Sequence, residues 1–368
     1  MEIDNHRFYC LATRYNTSSS TEPVCTRFVC HVHALHITSR LLSSQRFSLF
    51  SLGFLSSPLL YNVNVVDETM KLVRYLLSNM ESYGVLVDHE ITCLLALPKA
   101  LEYSPPLTFT ELIALGDRGI DVVERLMRNS TKSEKRNATS SVTDVTLLAP
   151  VLAPPKIVCL GLNYKDHAEE QGKDAPDELI LFMKPRTAIV GPDQPIIQPK
   201  MVKQLDYEAE LAIVIGEKGK QIPVSEAKKY IFGYTVFNDV SARDIQFKDK
   251  QWTRGKSFDT FAPMGPGITT ANQIGDPNNL GVRTRVNGEL RQNSSTKNMV
   301  FNIYEIIHRL SQVMTLEPGD IIATGTPAGV GVFMKPKPKF LSPGDSVEVE
   351  IEKIGTLRNI VSKDSDHF

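Results

Sequence analysis

The 368-residue chain is short of cysteine, of net charge and of clean apolar runs, and each shortage removes a class of protein. Five Cys without a Cys-x-x-Cys pair exclude a disulfide scaffold and fit a reducing compartment. With 41 Lys+Arg against 42 Asp+Glu, the net charge of −1 offers no basic face to nucleic acid or an anionic membrane. Phe47 to Val66 is uncharged and long enough to span a bilayer, but four Ser, Asn62, Asn64, Pro58 and Gly53 make it a poor span. What remains is a globular protein: 42% hydrophobic and 23% charged residues support a sizeable core, and the length suggests about two domains.

Lysine is absent from the start of the chain. All 23 Lys lie at or after Lys71, where even spreading would put about four before Met70. The same stretch holds Cys10, Cys25, Cys30, His6, His31, His33 and His36. Residues 23–66 contain no acid, carry Arg27, Arg40 and Arg46 and are rich in Ser, which is transit-peptide chemistry, although Glu2 and Asp4 stand at the beginning. The spacing of Cys25, Cys30, His31, His33 and His36 matches no zinc template. Residues 1–69 are therefore expected to be an unassigned leader, disordered or transit-like, with the mitochondrial matrix favoured over the cytoplasm. Met70 is expected to open the folded part.

From there, Met70–Leu76 and Ser82–Val87 read as strands with a turn at Tyr83-Gly84, and Phe109–Met127 reads as a helix weakened by Gly116 and Gly119. This is a small N-terminal domain, residues 70–128. Residues 129–150 are expected to be a linker, because 129–144 hold one sizeable apolar side chain, Val142. The main domain, 151–368, offers strands at Ile157–Gly161, Leu211–Ile215, Gly233–Asn238, Val282–Val286, Ile321–Ala323 and Val347–Ile351. Its clearest helix is Asn298–Thr315, with an apolar stripe of Ile303, Ile306, Ile307, Leu310, Val313 and Met314 that reads as core packing.

Five segments carry chemistry. Asp206-x-Glu208-x-Glu210 runs into Leu211-Ala-Ile-Val-Ile215; on a strand, alternate residues share a face, so three carboxylates would lie together. A solvated acidic face is the plain alternative. A hard cation offsetting the repulsion is the functional one, and oxygen-only donors favour Mg2+, Mn2+ or Ca2+. Asp239 ends the apolar strand Gly233–Asn238 and could equally cap a helix that carries Arg243 and Gln246 on one face. His167 and Glu170, three apart after the strand ending at Gly161, suit a general acid/base or an ordinary surface pair. Lys256 sits in the Gly-flanked, aromatic-rich stretch Gly255-Lys-Ser-Phe-Asp259. The run Gly325-Thr-Pro-Ala-Gly-Val-Gly331 lacks the P-loop ending and reads as a turn whose backbone comes close to something.

In order and spacing, GLNYKDHAEE, FMKPRTAIVG, DYEAELAIVIG, FNDVSARDIQ, GKSFDTFAPMGP and EPGDIIATGTPAGVGVF resemble the fumarylacetoacetate hydrolase family. The resemblance is strong over 155–355, loose over 70–150 and absent over 1–69, and its His-x-x-Glu pair is that of the family's short-chain branch. It implies an α+β, mainly β fold, a mixed β-sandwich roll with a small N-terminal α/β domain, assembled as a homodimer. It implies Mg2+ on Glu208, Glu210 and Asp239, an acid/base dyad of His167 and Glu170 on a lid, and an active-site Lys256. Lys184, Arg243, Gln246 and Thr326 match positions lining the substrate pocket. The activity implied is that of a metal-dependent enzyme on small 2-oxo or enol dicarboxylic acids, foremost enol-to-keto tautomerisation of oxaloacetate. Acylpyruvate-type C–C hydrolysis and oxaloacetate decarboxylation are the alternatives within the family, and a non-catalytic binding scaffold is a remote one.

Overall fold

Leu211-Ala-Ile-Val-Ile215 has no polar side chain, and a strand of that composition needs cover on both faces. In the computed structural model, which describes residues 70–98 and 104–364, the strand Ala209–Ile215 obtains it. It pairs antiparallel with Ile231–Asn238 on one side and with Ile321–Ala323 on the other, inside a sheet of 12 strands among the described residues. Leu211, Ile213 and Ile215 face a core shared with Ile303, Ile306, Ile307 and Leu310 of the helix Ile303–Val313. Val282, Val347, Val349 and Ile351 of a second, five-stranded sheet close the same core. Ala212 and Val214 face the opposite core, with Leu112, Ile113, Ile120 and Val123 from the helices Phe109–Ala114 and Asp117–Asn129. The result is the mainly β, mixed-sheet α+β architecture that the sequence predicts.

The second sheet shows the other kind of strand. Ser346–Ile351 alternates, burying Val347, Val349 and Ile351 and leaving Ser346, Glu348 and Glu350 half-exposed, as a strand with one solvated face does. The helix expected over Asn298–Thr315 spans Ile303–Val313; Asn302 caps it by accepting from the Tyr304 and Glu305 N–H groups, while Glu305 returns a carboxylate to the Asn302 N–H. No helix among the described residues is long and apolar enough to cross a membrane.

Three expectations are corrected. The single helix Phe109–Met127 is two helices, because Gly116 adopts φ 56° and ends the first. The turn falls at Ser78-Asn79, both with positive φ, and Tyr83 and Gly84 lie inside the strand Met80–Val87. Gly84 serves close packing instead: a Cβ there would stand 2.3 Å from the Thr92 carbonyl oxygen. The stretch read as a solvated linker holds the helix Lys132–Asn137, capped reciprocally by Thr131 and Glu134, and the strands Thr139–Ser141 and Thr146–Leu148. Those strands bond through backbone groups to Glu90–Cys93 and Lys71–Leu77, a use of the chain that needs no apolar side chains. Lys71–Leu77 in turn pairs with Ala262–Thr270, so the ladder runs unbroken from the N-terminal strands into the central sheet. The leader, including its Cys/His cluster, lies outside the described residues.

Strand polarity gathers the chemistry. Asn238, the last residue of Ile231–Asn238, pairs with Ala209, the first of its neighbour. Ala323 ends its strand beside Ala212 and beside Cys159, which Gly161 follows by two residues. Glu208, Asp239, Gly325 and Gly161 therefore emerge at one end of the sheet. Replacing the helix cap, Asn302→Ala, is expected to cost about 1 kcal/mol. Urea unfolding should show that loss with turnover unchanged; a variant as stable as the parent would contradict the capping role.

Candidate active site

The expected run of three carboxylates on one strand face does not form. The chain pairs at Leu205–Asp206 with Ser241–Ala242 in a separate two-stranded sheet, passes through Tyr207 and Glu208 outside any strand, and enters the central sheet at Ala209. Asp206 turns aside to the Arg243 Nε (2.8 Å) and accepts from the N–H groups of Gly331 (2.8 Å) and Val332 (3.0 Å). Asp239 takes its place. Its N–H donates to the Glu208 carbonyl (2.9 Å), and the Glu208 N–H donates to the Asn238 Oδ1 (3.0 Å). Oxygens of Glu208, Glu210 and Asp239, all buried, lie within 4.8 Å of one another.

Three cations are built against this group. Lys256 Nζ lies 2.8 Å from Glu208 Oε2 and 2.7 Å from Asp239 Oδ2, with the Phe182 ring 5.1 Å beneath it. Arg243 Nη1 reaches Glu208 Oε1 at 2.7 Å and Gln246 Oε1 at 2.9 Å, and its Nη2 is buried without a partner. Lys184 Nζ touches Asp239 Oδ1 (2.7 Å) and the carbonyls of Val240, Lys256 and Phe261. Four buried carboxylates (Asp206, Glu208, Glu210, Asp239) thus meet three buried cations, one positive charge short of neutrality.

The shortfall falls on Glu210. Burial, then the charges of Asp239 and Glu208, push its carboxyl well above the ordinary range. Burial also raises Glu208, but Lys256 and Arg243 outweigh it and hold that carboxyl below its ordinary value. Burial lowers Lys184, whereas Asp239 and Glu208 overcome burial at Lys256 and raise it. Glu210 Oε2 accepts from the Gly325 N–H at 2.8 Å, while Oε1 is buried with no hydrogen-bond partner. An unpartnered carboxylate oxygen facing two further carboxylates fits a divalent cation, and an oxygen-only set suits Mg2+, Mn2+ or Ca2+.

The glycine-rich run comes close to carboxylates. Gly325 donates to Glu210, Gly329 to Glu170 Oε2 (2.9 Å) and Gly331 to Asp206. A Cβ on Gly329 would meet the Arg291 carbonyl oxygen at 2.2 Å, and one on Gly331 the Lys339 carbonyl oxygen at 2.3 Å, so only glycine lets the backbone in. On the short helix Lys165–Glu170, His167 Nδ1 lies 2.6 Å from Glu170 Oε1, which makes Nδ1 the protonated nitrogen and Nε2 the acceptor.

A cavity of about 90 Å3 joins these parts, with His167, Glu208, Gln246 and Lys256 in its wall. Lys184, Arg243 and Thr326 stand behind that wall: Lys184 is taken up by Asp239 and three carbonyls, and Thr326 Oγ1 accepts from Gln292 Nε2 at 2.8 Å. Sequence reading missed Gln292, which also accepts from the Ala209 N–H (3.0 Å) and so ties the Thr326 loop to the carboxylate strand. It also missed Gln171, whose amide nitrogen lies 2.9 Å from His167 Nε2, and Trp252, packed over Gly161. Ordinary polar residues on a strand or a helix end carry no local signal; a single Trp in 368 residues was available as one.

Residues 156–362 match the model of the fumarylacetoacetate (FAA) hydrolase C-terminal domain. The chain belongs to the fumarylacetoacetate hydrolase family. It is 47% identical over 264 residues to the mitochondrial oxaloacetate tautomerase FAHD2B of Bos taurus, covering 71% of this chain and 82% of that one. An uncharacterized protein of Archaeoglobus fulgidus is 54% identical over 222 residues, 60% of this chain and 84% of its own. Among solved structures, fumarylacetoacetate hydrolase from Exiguobacterium antarcticum aligns at TM-score 0.67 and 39% identity, over 80% of this chain and 99% of that one. Maleylpyruvate hydrolase from Sphingobium sp. SYK-6, solved with manganese(II) and pyruvate, aligns at TM-score 0.64 and 31% identity over 80% and 99%. Resemblance to fumarylacetoacetate hydrolase domain-containing protein 2 extends to that of Pongo abelii, at 44% identity over 71% of this chain and 82% of that one. The chain is accordingly an enzyme of this family.

The charge shortfall makes a prediction. Without divalent cation, Glu210→Gln should leave the melting temperature unchanged or raised, because a neutral amide replaces a carboxyl whose charged form is disfavoured by burial and by Asp239 and Glu208. Saturating Mg2+ or Mn2+ should stabilise the parent by about 3 kcal/mol at a hundredfold excess over Kd. The variant should lose most of that gain, and an equal gain in both would contradict the assignment.

Proposed function

We propose that this chain is a Mg2+-dependent enzyme acting on small 2-oxo/enol dicarboxylic acids, converting the enol of oxaloacetate to its keto form. The observation that carries the reading is the cavity whose wall holds His167 together with Lys256 and Glu208, one of the three clustered carboxylates. Glu208, Glu210 and Asp239 would hold the cation, with Mn2+ or Ca2+ as possible substitutes. When bound, it supplies Lewis acidity that stabilises enolate charge.

The chain's own groups do the rest. Tautomerisation removes a proton from the enol oxygen and delivers one to C3, with no atom gained or lost. His167 Nε2 is the atom that exchanges the C3 proton; Glu170 holds the tautomer and, tied to Gly329, the ring's position. Lys256 opposes negative charge on the substrate oxygens. Gln246 lines the cavity beside it, and the open Nη2 of Arg243 and the hydroxyl of Thr326 supply further donors from behind. The Bos taurus relative's name supports the tautomerase reading and a mitochondrial location, within which the matrix is the compartment proposed. A homodimer completes the proposal.

One observation favours a second reaction, C–C hydrolysis: the structural neighbour solved with manganese(II) and pyruvate is named a maleylpyruvate hydrolase. On the same groups, His167 would activate water against a carbonyl. A panel with and without Mg2+ separates the readings by following enol-oxaloacetate loss, CO2 release and acylpyruvate cleavage. The proposal expects the first to dominate and to vanish in EDTA; dominant cleavage or CO2 release would replace it. Glu208→Ala and Asp239→Ala should abolish turnover. His167→Ala should lower kcat by about 10²- to 10⁴-fold with cation affinity near normal. If His167→Ala weakens the cation as much as Glu210→Ala does, the roles are misassigned.

A further inference from the structure

The cavity wall carries three charged side chains, and two of them already answer one another: Glu208 and Lys256 lie 2.8 Å apart. The third, Lys173, is exposed at the rim and has no carboxylate within 4 Å among the described residues. Its Nζ donates to Gln171 Oε1 at 3.1 Å, and the Gln171 amide nitrogen lies 2.9 Å from His167 Nε2, the acceptor nitrogen of the ring. A rim cation is therefore wired through one amide to the group that exchanges protons. Behind the wall, Lys184 and Arg243 are engaged by Asp239, Asp206 and Glu208. The same wall includes apolar surfaces from Leu160, Phe182, Phe247 and Trp252.

We propose that Lys173, held by Gln171, is the specificity-determining residue for the second carboxylate of the substrate. The inference rests on the 2-oxo dicarboxylate reading above. A substrate whose 2-oxo acid end lies at the carboxylate cluster leaves its far end toward the rim, and Lys173 is the cation available there. Gln171 is a positioning residue in the same device: it places the ammonium at the rim and occupies His167 Nε2 until a substrate oxygen takes its amide. A monoanionic substrate of the same size would lack the partner for Lys173 and gain nothing from it.

Trp252 is the chain's single Trp and lines the cavity, so its fluorescence reports occupancy without turnover. Oxaloacetate and its 4-methyl ester, a monoanion of nearly the same shape, are titrated into the Mg2+-loaded protein. The parent should bind the diacid roughly tenfold tighter than the ester, the worth of one charge-assisted contact. Lys173→Met should lose that preference by weakening the diacid alone, and Lys173→Arg should retain it. Gln171→Met should weaken the diacid and lower kcat. A Lys173→Met variant that shifts both ligands equally, or neither, overturns the proposal, as does a parent that binds neither or does not discriminate. Intact discrimination without tautomerisation would support the rim contact and sink the proposed reaction instead.

Discussion

Burying Asp206, Glu208, Glu210 and Asp239 side by side is the constraint around which this molecule is organised. Each carboxylate removed from water costs several kcal/mol unless charges and hydrogen bonds answer it. The fold answers with groups drawn from distant parts of the chain: Lys184, Arg243 and Lys256, and the N–H groups of Gly325, Gly331 and Val332. The balance stops one cation short, at Glu210, whose Oε1 has no partner. That gap, facing two further carboxylates, fits a site for an exchangeable divalent cation.

The same demand explains the irregular backbone. Glycine at 329 and 331 lets amide groups approach carboxylates where any side chain would collide with a carbonyl. Gly329 also holds Glu170, so one loop supports the carboxylate cluster and the His167–Glu170 pair together. Gln292 joins that loop to the strand bearing Glu210 by bonding Thr326, Pro327 and the Ala209 N–H. Displacing this loop would disturb charge compensation and imidazole placement at once. The family's relatives are named for tautomerisation, isomerisation and hydrolysis, which is what a shared enolate-stabilising core with variable surroundings would permit.

Much of this was legible in the sequence. The unbroken apolar run at 211–215 marked a strand covered on both faces, and the acids before it marked the site's edge. The family motifs supplied the exchange of Asp206 for Asp239 that alternation alone could not, because the break between two sheets at Tyr207-Glu208 is a tertiary event. Lys184 illustrates a subtler limit: a lysine beside a site can serve the fold, and only its carbonyl partners reveal that. Gln292 was invisible because its partners lie in space, across 34 and 83 residues, whereas Gln171 meets His167 and Lys173 four and two residues away, an ordinary local spacing that carries no distinctive signal. The polar stretch after Asn129 looked solvated because strands held by backbone bonds need no apolar pattern.

The central claim, that the carboxylates of Glu208, Glu210 and Asp239 form a cation site, has a direct measurement. Crystals soaked in Mn2+ and recorded for anomalous scattering should show one strong peak within bonding distance of all three carboxylates, absent in crystals of Glu210→Gln. A cluster without a peak, with Glu208 and Asp239 still bridged by Lys256 at saturating Mn2+, would contradict the account and leave the acids as a structural ion-pair network.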